Sequence, residues 1–286
     1  MTDPTPSFSW RSIILPAYLP TLLFSIGEGA IIPVIPVVAT ERGASLAVAG
    51  LVAAMIMVGE LVGDLPAGWL VARIGERNAM IGASMLGVVG VLIALASPTV
   101  FALGVGMFLL GLATAVFGLA RHAFLTSYVP EPVRARALST LAGVFRGGWA
   151  IGPFVAAALI AWTGSPEVVF WVLVAACFAV VVVLLVLPDP ERVFGAAQLA
   201  REASANGSGR TAGEAEADAA SHGVFRAIAT YRVVLLRIGS GVGLLAAVRA
   251  SRTVILPLWA VSIGMPPETA ALVIGSRRPS TSRSST

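Results

Sequence analysis

Seven ionisable side chains lie within long apolar stretches of this sequence, and their types could do chemistry there. They are Glu28, Glu60, Asp64, Arg121, Arg146, Arg249 and Arg252. A charged group inside a membrane-spanning helix costs free energy unless it faces a partner or a water-filled cavity. Each of these residues is therefore a candidate for a functional role. Glu60 and Asp64 are four residues apart and therefore share one helix face. We expect this face to border a protein-lined or water-filled space.

The composition excludes a water-soluble globular protein. Hydrophobic residues make up 57% and charged residues 12% of the 286 residues, whereas soluble domains are typically about 25% charged. All 19 basic residues are arginines, set against 15 carboxylates, and they do not indicate a nucleic-acid-binding face. The single cysteine, Cys177, excludes an internal disulfide and leaves a thiolate metal cluster without partners. We therefore expect an integral membrane protein with no metal site.

Apolar segments of about 20 residues or more, the length that spans the hydrocarbon core, predict seven membrane helices. They lie near residues 13–38, 46–70, 78–97, 100–122, 137–161, 167–187 and 233–260. The first is too long for the apolar region of a cleaved signal peptide. The predicted organisation is a cytoplasmic N-terminus (1–12), a six-helix bundle (13–187), a cytoplasmic linker (188–232), the start of a second bundle (233–275) and a polar tail (276–286).

Arginine placement predicts the orientation of these helices. Nine arginines fall in segments on one side of the membrane, while the short loops on the other side carry Arg42 alone. Because positively charged loops stay in the cytoplasm, the N-terminus is predicted to be cytoplasmic. We expect a multi-pass protein of the plasma (inner) membrane, with the lipid bilayer as its surroundings.

An internal repeat is predicted at an offset of 221 residues. Without a gap, "PVVATERGASLAVAGLV" aligns with "PLWAVSIGMPPETAALV", and the shared residues include a proline, Pro36 or Pro257, and a helix-end glycine, Gly43 or Gly264. Parallel repeats of this kind build many transporters. The offset also pairs Glu28 with Arg249.

We hypothesise that Glu28 is a proton-coupling or cation-substrate carboxylate whose charged form Arg249 stabilises. The alternative is that the intramembrane charges form fixed structural pairs, such as Asp64 with Arg146. Arg121 falls at the inner end of the predicted fourth helix, where an arginine can extend to the headgroups. For Arg121 we favour that structural role.

The segment "GWLVARIGER" resembles the signature loop between helices two and three of the major facilitator superfamily. Gly68, Arg73, Gly75 and Arg77 match the pattern GxxxDRxGRR, while Ala72 replaces its aspartate and Glu76 replaces a basic residue. We expect Gly68 to allow close helix approach and Gly75 to form a tight turn. The arginines are expected to bond helix C-terminal carbonyls or a carboxylate. The alternative role is a positive-inside anchor.

In the fifth helix, "GWAIGPFVAA" resembles the GxxxGPxxGG pattern of proton-coupled exporters in this superfamily. Gly148, Gly152 and Pro153 are retained, whereas alanines replace the last two glycines. Small residues four apart allow close helix packing in membranes. Proline supplies a point where the helix can bend. The superfamily's fourth-helix pattern places an arginine four residues before a glycine, but here Met107 precedes Gly111.

This resemblance implies an all-α membrane protein comprising the N-terminal six-helix bundle and the first helix of the second bundle. It further implies a secondary transporter that exports a small molecule by alternating access, coupled to protons and driven by the proton gradient without a cofactor. The expected partners are a small-molecule substrate and protons. An ATP-driven pump is disfavoured because the sequence has no GxxxxGK[ST] loop.

Two alternatives concern what this polypeptide does by itself. The apolar pattern stops after Val273, which predicts truncation after the seventh helix. The chain would then be a non-transporting fragment or a half-transporter that needs a complementary C-terminal half. A polytopic membrane enzyme is less favoured, since His122 and His222 are the only histidines and neither HExxH nor GxSxG occurs. We therefore predict that the chain is not an enzyme.

Overall fold

A computed structural model describes residues 14–96, 98–129 and 131–187, together with 240, 244, 248, 251, 255–266, 268–270 and 272. Within those residues the regular secondary structure is entirely helical. A short π-helix, Ile14–Tyr18, leads into the first two helices, and a 3₁₀-helix, Pro166–Val169, precedes the last one. The α-helices are α1 (Leu19–Ile31), α2 (Ile35–Glu41), α3 (Leu46–Ile74), α4 (Glu76–Ala96), α5 (Val100–Tyr128), α6 (Glu131–Thr163) and α7 (Phe170–Val186).

Six helical segments are long and apolar enough to cross a membrane. The first combines α1 and α2, and the others correspond to α3 through α7, with α7 preceded by its 3₁₀ turn. The six spans predicted for the first bundle are thereby confirmed. Several ends differ: α5 continues to Tyr128 rather than ending near residue 122, and α6 begins at Glu131 rather than near 137. Residues 255–262 are also helical.

The first span is interrupted between α1 and α2. Helix α1 ends at Ile31, and the chain turns through residues 32–34 before α2 begins. Pro33 lies in this turn and lacks the N–H group that would continue the helical hydrogen bonds. Pro36 lies in the first turn of α2, where a missing N–H group is tolerated. The break interrupts the helix while most residues of both parts remain buried.

The predicted repeat has a structural counterpart where α2 ends. Gly43 has φ +85° and Gly264 has φ +69°, a conformation that favours glycine. At the first site the N–H of Gly43 bonds Thr40 O and that of Ala44 bonds Ala39 O. The corresponding bonds, 221 residues later, run from Gly264 N–H to Val261 O and from Met265 N–H to Ala260 O. Both sites therefore have the same Schellman C-cap.

Glycines bring several helices into near-backbone contact. A Cβ on Gly59 of α3 would lie 3.0 Å from Gly111 Cα of α5, and one on Gly90 of α4 would lie 2.7 Å from Gly106 O. The rings of Phe24 and Phe117 stack at 4.3 Å and join α1 to α5. Helix α5 thus contacts α1, α3 and α4 within one bundle core.

Arg42 ties three elements together at one end of the bundle. Its Nη1 donates to Ala94 O near the end of α4 at 2.8 Å, and its Nη2 donates to Glu167 Oε1 at 2.9 Å. Only 7% of the Arg42 side chain is exposed, against 50% of the Glu167 side chain. The one arginine predicted on this side therefore links the turn after α2 to α4 and to the 3₁₀-helix.

The predicted domain boundaries at the chain ends and in the linker stay predictions. Residues 1–13, 188–232 and 273–286 lie outside the described residues. The same is true of Arg249 and Arg252. The predicted pairing of Glu28 with Arg249 is therefore still a prediction.

Candidate functional site

Glu28 lies at the centre of a polar cluster built from three helices. Its side chain, on α1, has no exposed surface. The hydroxyl of Thr114 on α5 donates to Glu28 Oε1 at 2.9 Å, and the indole N–H of Trp149 on α6 donates to Oε2 at 2.8 Å. Each carboxylate oxygen thus has its own donor, which supplies the compensation that burial of a charged group requires.

The contact between α1 and α6, which we call the seam, fixes this geometry. A Cβ on Gly29 would lie 2.9 Å from Trp149 Cα, and one on Gly148 would lie 3.0 Å from Leu22 O and clash with Ser25. A Cβ on Gly152 would lie 2.7 Å from Ile26 O and clash with the backbone of Ala30. The retained motif glycines thus face α1 directly, and Trp149 sits one residue after Gly148.

Arg121 is buried beside this cluster. Its residue exposure is 8%, and its guanidinium lies over the Phe145 ring, 4.3 Å from the centroid. It interacts electrostatically with Glu28. Its Nε has no hydrogen-bond partner among the residues that the structure describes. The predicted extension of Arg121 to the headgroups is wrong because α5 continues two turns further, to Tyr128, and keeps Arg121 inside the bundle.

The remaining predicted charges lie nearer the bundle surface. Glu60 is half-buried and interacts electrostatically with Glu28 and Asp64. Asp64 and Arg146 are exposed. Within the described part of the chain no ion pair joins Asp64 to Arg146, so the fixed pair offered as an alternative is wrong. The structure thus brings Glu60 towards Glu28 and leaves Asp64 and Arg146 on open faces.

The two arginines of the signature loop have different surroundings. Arg77 donates to the carbonyls at the end of α7, with Nε to Leu184 O at 2.8 Å and Nη2 to Leu187 O at 3.1 Å. Arg73 is exposed and lies over the Trp69 ring at 5.2 Å. The expected bond to helix C-terminal carbonyls is therefore present for Arg77.

The glycines of the loop differ as well. Gly75 ends α3 with φ +81°, as a tight turn requires. A Cβ on Gly68 would meet only Leu119 Cδ2 at 3.8 Å, an ordinary contact. The expectation that Gly68 permits close helix approach is wrong, because α3 meets α5 at Gly59 and Gly63 instead. Glu76, which departs from the family pattern, accepts a hydrogen bond from Ser127 Oγ at 2.9 Å.

Sequence reasoning missed Thr114, Trp149 and the central position of Arg121. One signal was available for Trp149, since an indole N–H placed in the middle of a membrane span needs an acceptor. Glu28, a carboxylate at a comparable depth in its own span, is a candidate for that acceptor. No comparable signal identifies Thr114, because membrane-helix hydroxyls commonly bond their own backbone.

The arrangement can bind and release a proton without leaving either state unsatisfied. Ionised Glu28 accepts from two donors and faces the cation of Arg121. A protonated carboxyl group would have one donor and retain acceptor capacity, and a threonine hydroxyl can either donate or accept. A carboxyl group in this setting suits reversible proton binding inside the membrane.

Comparison with known proteins identifies the family. The sequence model of the Major Facilitator Superfamily matches residues 18–276. This chain belongs to the major facilitator superfamily. The resemblance predicted from the signature loop and from the motif in the fifth membrane span (α6) is thereby confirmed. The chain is a multi-pass membrane protein.

Named relatives within the superfamily are proton symporters. The galactose-proton symporters of Escherichia coli K12 and of E. coli O6:H1 are each 27% identical over 180 residues, which cover 63% of this chain and 39% of each relative. The crystal structure of a D-xylose-proton symporter has a TM-score of 0.58 and 17% identity, covering 93% of this chain and 65% of that one. The chain therefore spans less than two thirds of these proteins and shares the fold of the solved one.

Proposed function

We propose that this chain forms the proton-binding half of a proton-coupled secondary transporter for a small polar molecule. Glu28 carries the coupled proton, and Arg121 stabilises the ionised carboxylate when the proton leaves. The observation that supports this most directly is the full burial of Glu28 with a separate hydrogen-bond donor on each oxygen. The buried cation of Arg121, which interacts electrostatically with Glu28, further supports the proposal.

The proposal extends to the face of α3 that carries Glu60 and Asp64. Glu60 lies close enough to Glu28 for their charges to interact, while Asp64 is exposed one turn away. Such a gradient of exposure gives a proton a path of carboxylates from the surface towards Glu28. The substrate and the second bundle would occupy the space in front of this face. The proton gradient supplies the driving force, and no cofactor is needed.

The direction of transport has two candidates. The names of the E. coli relatives favour symport, in which substrate and proton move the same way, and they make galactose a reasonable first substrate to test. The motif GWAIGPFVAA of the fifth membrane span, which is α6, favours export. Its Gly148 and Gly152 lie in close contact with α1. We propose symport as the leading mode, with efflux by antiport as the second, in the plasma membrane with a cytoplasmic N-terminus.

A vesicle assay tests the proposal. The 286-residue chain is reconstituted alone and with a separately expressed C-terminal half of a galactose-proton symporter, and uptake of labelled galactose is followed under an imposed proton gradient. The gradient should raise uptake, and Glu28→Gln should reduce gradient-driven uptake at least tenfold. Glu131→Gln is the matched control, since Glu131 is exposed in the first turn of α6.

The outcomes separate the alternatives. Gradient-driven uptake only with the added half would support a half-transporter, and loss of preloaded galactose under the same inward proton gradient would support export by antiport. Equal gradient-driven flux in wild type and Glu28→Gln would refute the role of Glu28. Proton binding to Glu28, measured by infrared spectroscopy as described below, tests that role in the chain without any partner.

A further inference from the structure

We propose that the proton on Glu28 resides on Oε1, the oxygen that faces Thr114, and that the Thr114 hydroxyl changes from donor to acceptor when the proton arrives. Trp149 keeps its hydrogen bond to Oε2 in both states. Thr114 is thus a positioning residue that responds to the proton, and Trp149 is a fixed anchor. This inference rests on the proposed function, in which Glu28 binds the coupled proton.

The donor properties of the two partners decide which oxygen takes the proton. An indole N–H can donate a hydrogen bond and cannot accept one, whereas a threonine hydroxyl can do both. Addition of H⁺ to the carboxylate forms one O–H bond and leaves one carbonyl oxygen. Because Trp149 donates to Oε2, Oε2 is best satisfied as the carbonyl oxygen. The new O–H bond then forms at Oε1 and donates to Thr114 Oγ1.

The packing of the seam holds Trp149 in place during this change. The backbone of Trp149 lies directly on Gly29, and Gly148 and Gly152 face α1 on either side. The Trp149 ring also packs against Phe145, with centroids 5.7 Å apart. Moving the backbone of Trp149 would require repacking of α1 against α6, and turning its indole would break the contact with Phe145. Reorientation of the Thr114 hydroxyl requires only rotation about one bond.

The hydrogen of the Thr114 hydroxyl has another acceptor available. In this protein helical hydroxyls commonly donate to the carbonyl four residues earlier, as Ser84 does to Met80 O and Thr140 to Arg136 O, each at 2.9 Å. The equivalent carbonyl for Thr114 belongs to Leu110, one turn earlier on α5. Reversal therefore exchanges one hydrogen bond for another.

Other titratable groups facing Glu28 do not alter this assignment. Arg121 on α5, Glu60 on α3 and Cys177 on α7 interact with Glu28 through charge. Of the described residues, only Thr114 and Trp149 hydrogen-bond its carboxylate oxygens. Since none of these three groups hydrogen-bonds the carboxylate, we assign the choice between its oxygens from Thr114 and Trp149.

Infrared difference spectroscopy of the full chain in lipid nanodiscs tests the assignment. Spectra recorded at acidic and alkaline pH should differ by a C=O stretch of protonated Glu28, which Glu28→Gln removes. Trp149→Phe should shift that band to higher frequency, since it removes the hydrogen bond to the carbonyl oxygen. Thr114→Val should leave the C=O frequency unchanged, and Thr114→Ser should reproduce the wild-type spectrum in both the C=O and O–H regions.

The reverse pattern would overturn the inference, with Thr114→Val shifting the band and Trp149→Phe leaving it in place. A second measurement needs no variant: protonation should shift the indole N–H band of Trp149 to higher frequency without abolishing its hydrogen bond, because the acceptor changes from a carboxylate oxygen to a carbonyl oxygen. A shift all the way to the frequency of a free indole N–H would contradict the inference. If no band sensitive to Glu28→Gln is found, the proposed role of Glu28 fails and this assignment fails with it.

Discussion

The seam between α1 and α6 and the outer face of α3, which carries Leu61, Asp64 and Leu65, both contain an acidic residue. The surroundings of the two acidic residues are opposite. In the seam, Glu28 is fully buried, each of its oxygens has a donor, and glycines hold the two helices in near-backbone contact. On α3, Asp64 is exposed beside large apolar side chains such as Leu61 and Leu65, which are 72% and 84% exposed.

Position in an apolar span does not by itself define a site. An acidic residue becomes a proton-binding candidate when neighbouring helices supply donors and a cation at fixed positions. Where those are lacking, the residue belongs to a face that another part of a larger assembly can cover. In a membrane-spanning helix, exposed apolar side chains of this kind face either lipid or another helix bundle.

The largest expected effect concerns the backbone contact of the seam. Gly152→Ala would drive a Cβ into the backbone of α1, and overpacking of this kind typically destabilises by about 1–3 kcal/mol. We expect a loss of unfolding free energy near the top of that range, measured by detergent-induced unfolding. We also expect the infrared band of Glu28 to be lost from the difference spectrum. Gly147→Ala is the identical change on the same helix with nothing within 4 Å. A similar loss in both variants would contradict the close-contact role of Gly152.

A smaller effect is expected for the charges of the signature loop. Arg77→Met removes several charge-assisted hydrogen bonds to the end of α7, each worth about 1.5–3 kcal/mol at most. Because Arg77 is half-exposed, we expect a total of about 2 kcal/mol in unfolding free energy. Arg73→Met is the matched control and should change it by less than about 1 kcal/mol, the scale of an exposed cation–π contact. Equal effects would show that the two arginines act only as anchors.

The smallest effect is expected on the outer face of α3. Asp64→Asn should change the unfolding free energy by less than about 0.5 kcal/mol, as surface substitutions do, and should leave the infrared band of Glu28 in place. The matched comparison is Glu28→Gln, which removes that band. Loss of the band in Asp64→Asn would mean that the outer face contributes directly to proton binding at Glu28.

Local sequence patterns predicted the helices because they depend on neighbours along the chain. The apolar runs located all six spans of the first bundle, and the repeat at 221 residues anticipated the matching caps after Gly43 and Gly264. Helix ends were less accurate, since an apolar run does not reveal how far a helix continues beyond it. The six extra residues of α5 account for the error at Arg121.

Contacts between helices were harder to predict because they depend on rotation and close approach. Glu28 was recognised as a candidate from its burial in an apolar run, but its partners on α5 and α6 are 86 and 121 residues away. The motif glycines indicated that α6 packs closely on another helix. They did not indicate that the tryptophan between them would bond Glu28, and the loop pattern did not indicate that Gly68 would have only an ordinary contact, with Leu119.

The bonds of Arg77 to α7 also set an order for assembly. Leu184 follows Arg77 by 107 residues, so during synthesis the guanidinium is in place long before its acceptors exist. Until α7 enters the membrane, those donors must be satisfied by water or lipid headgroups. Arrival of α7 then supplies the carbonyls at its C-terminal end, which lack partners within the helix itself. A ribosome that stalls before α7 would therefore leave an open bundle whose signature loop membrane quality control could recognise.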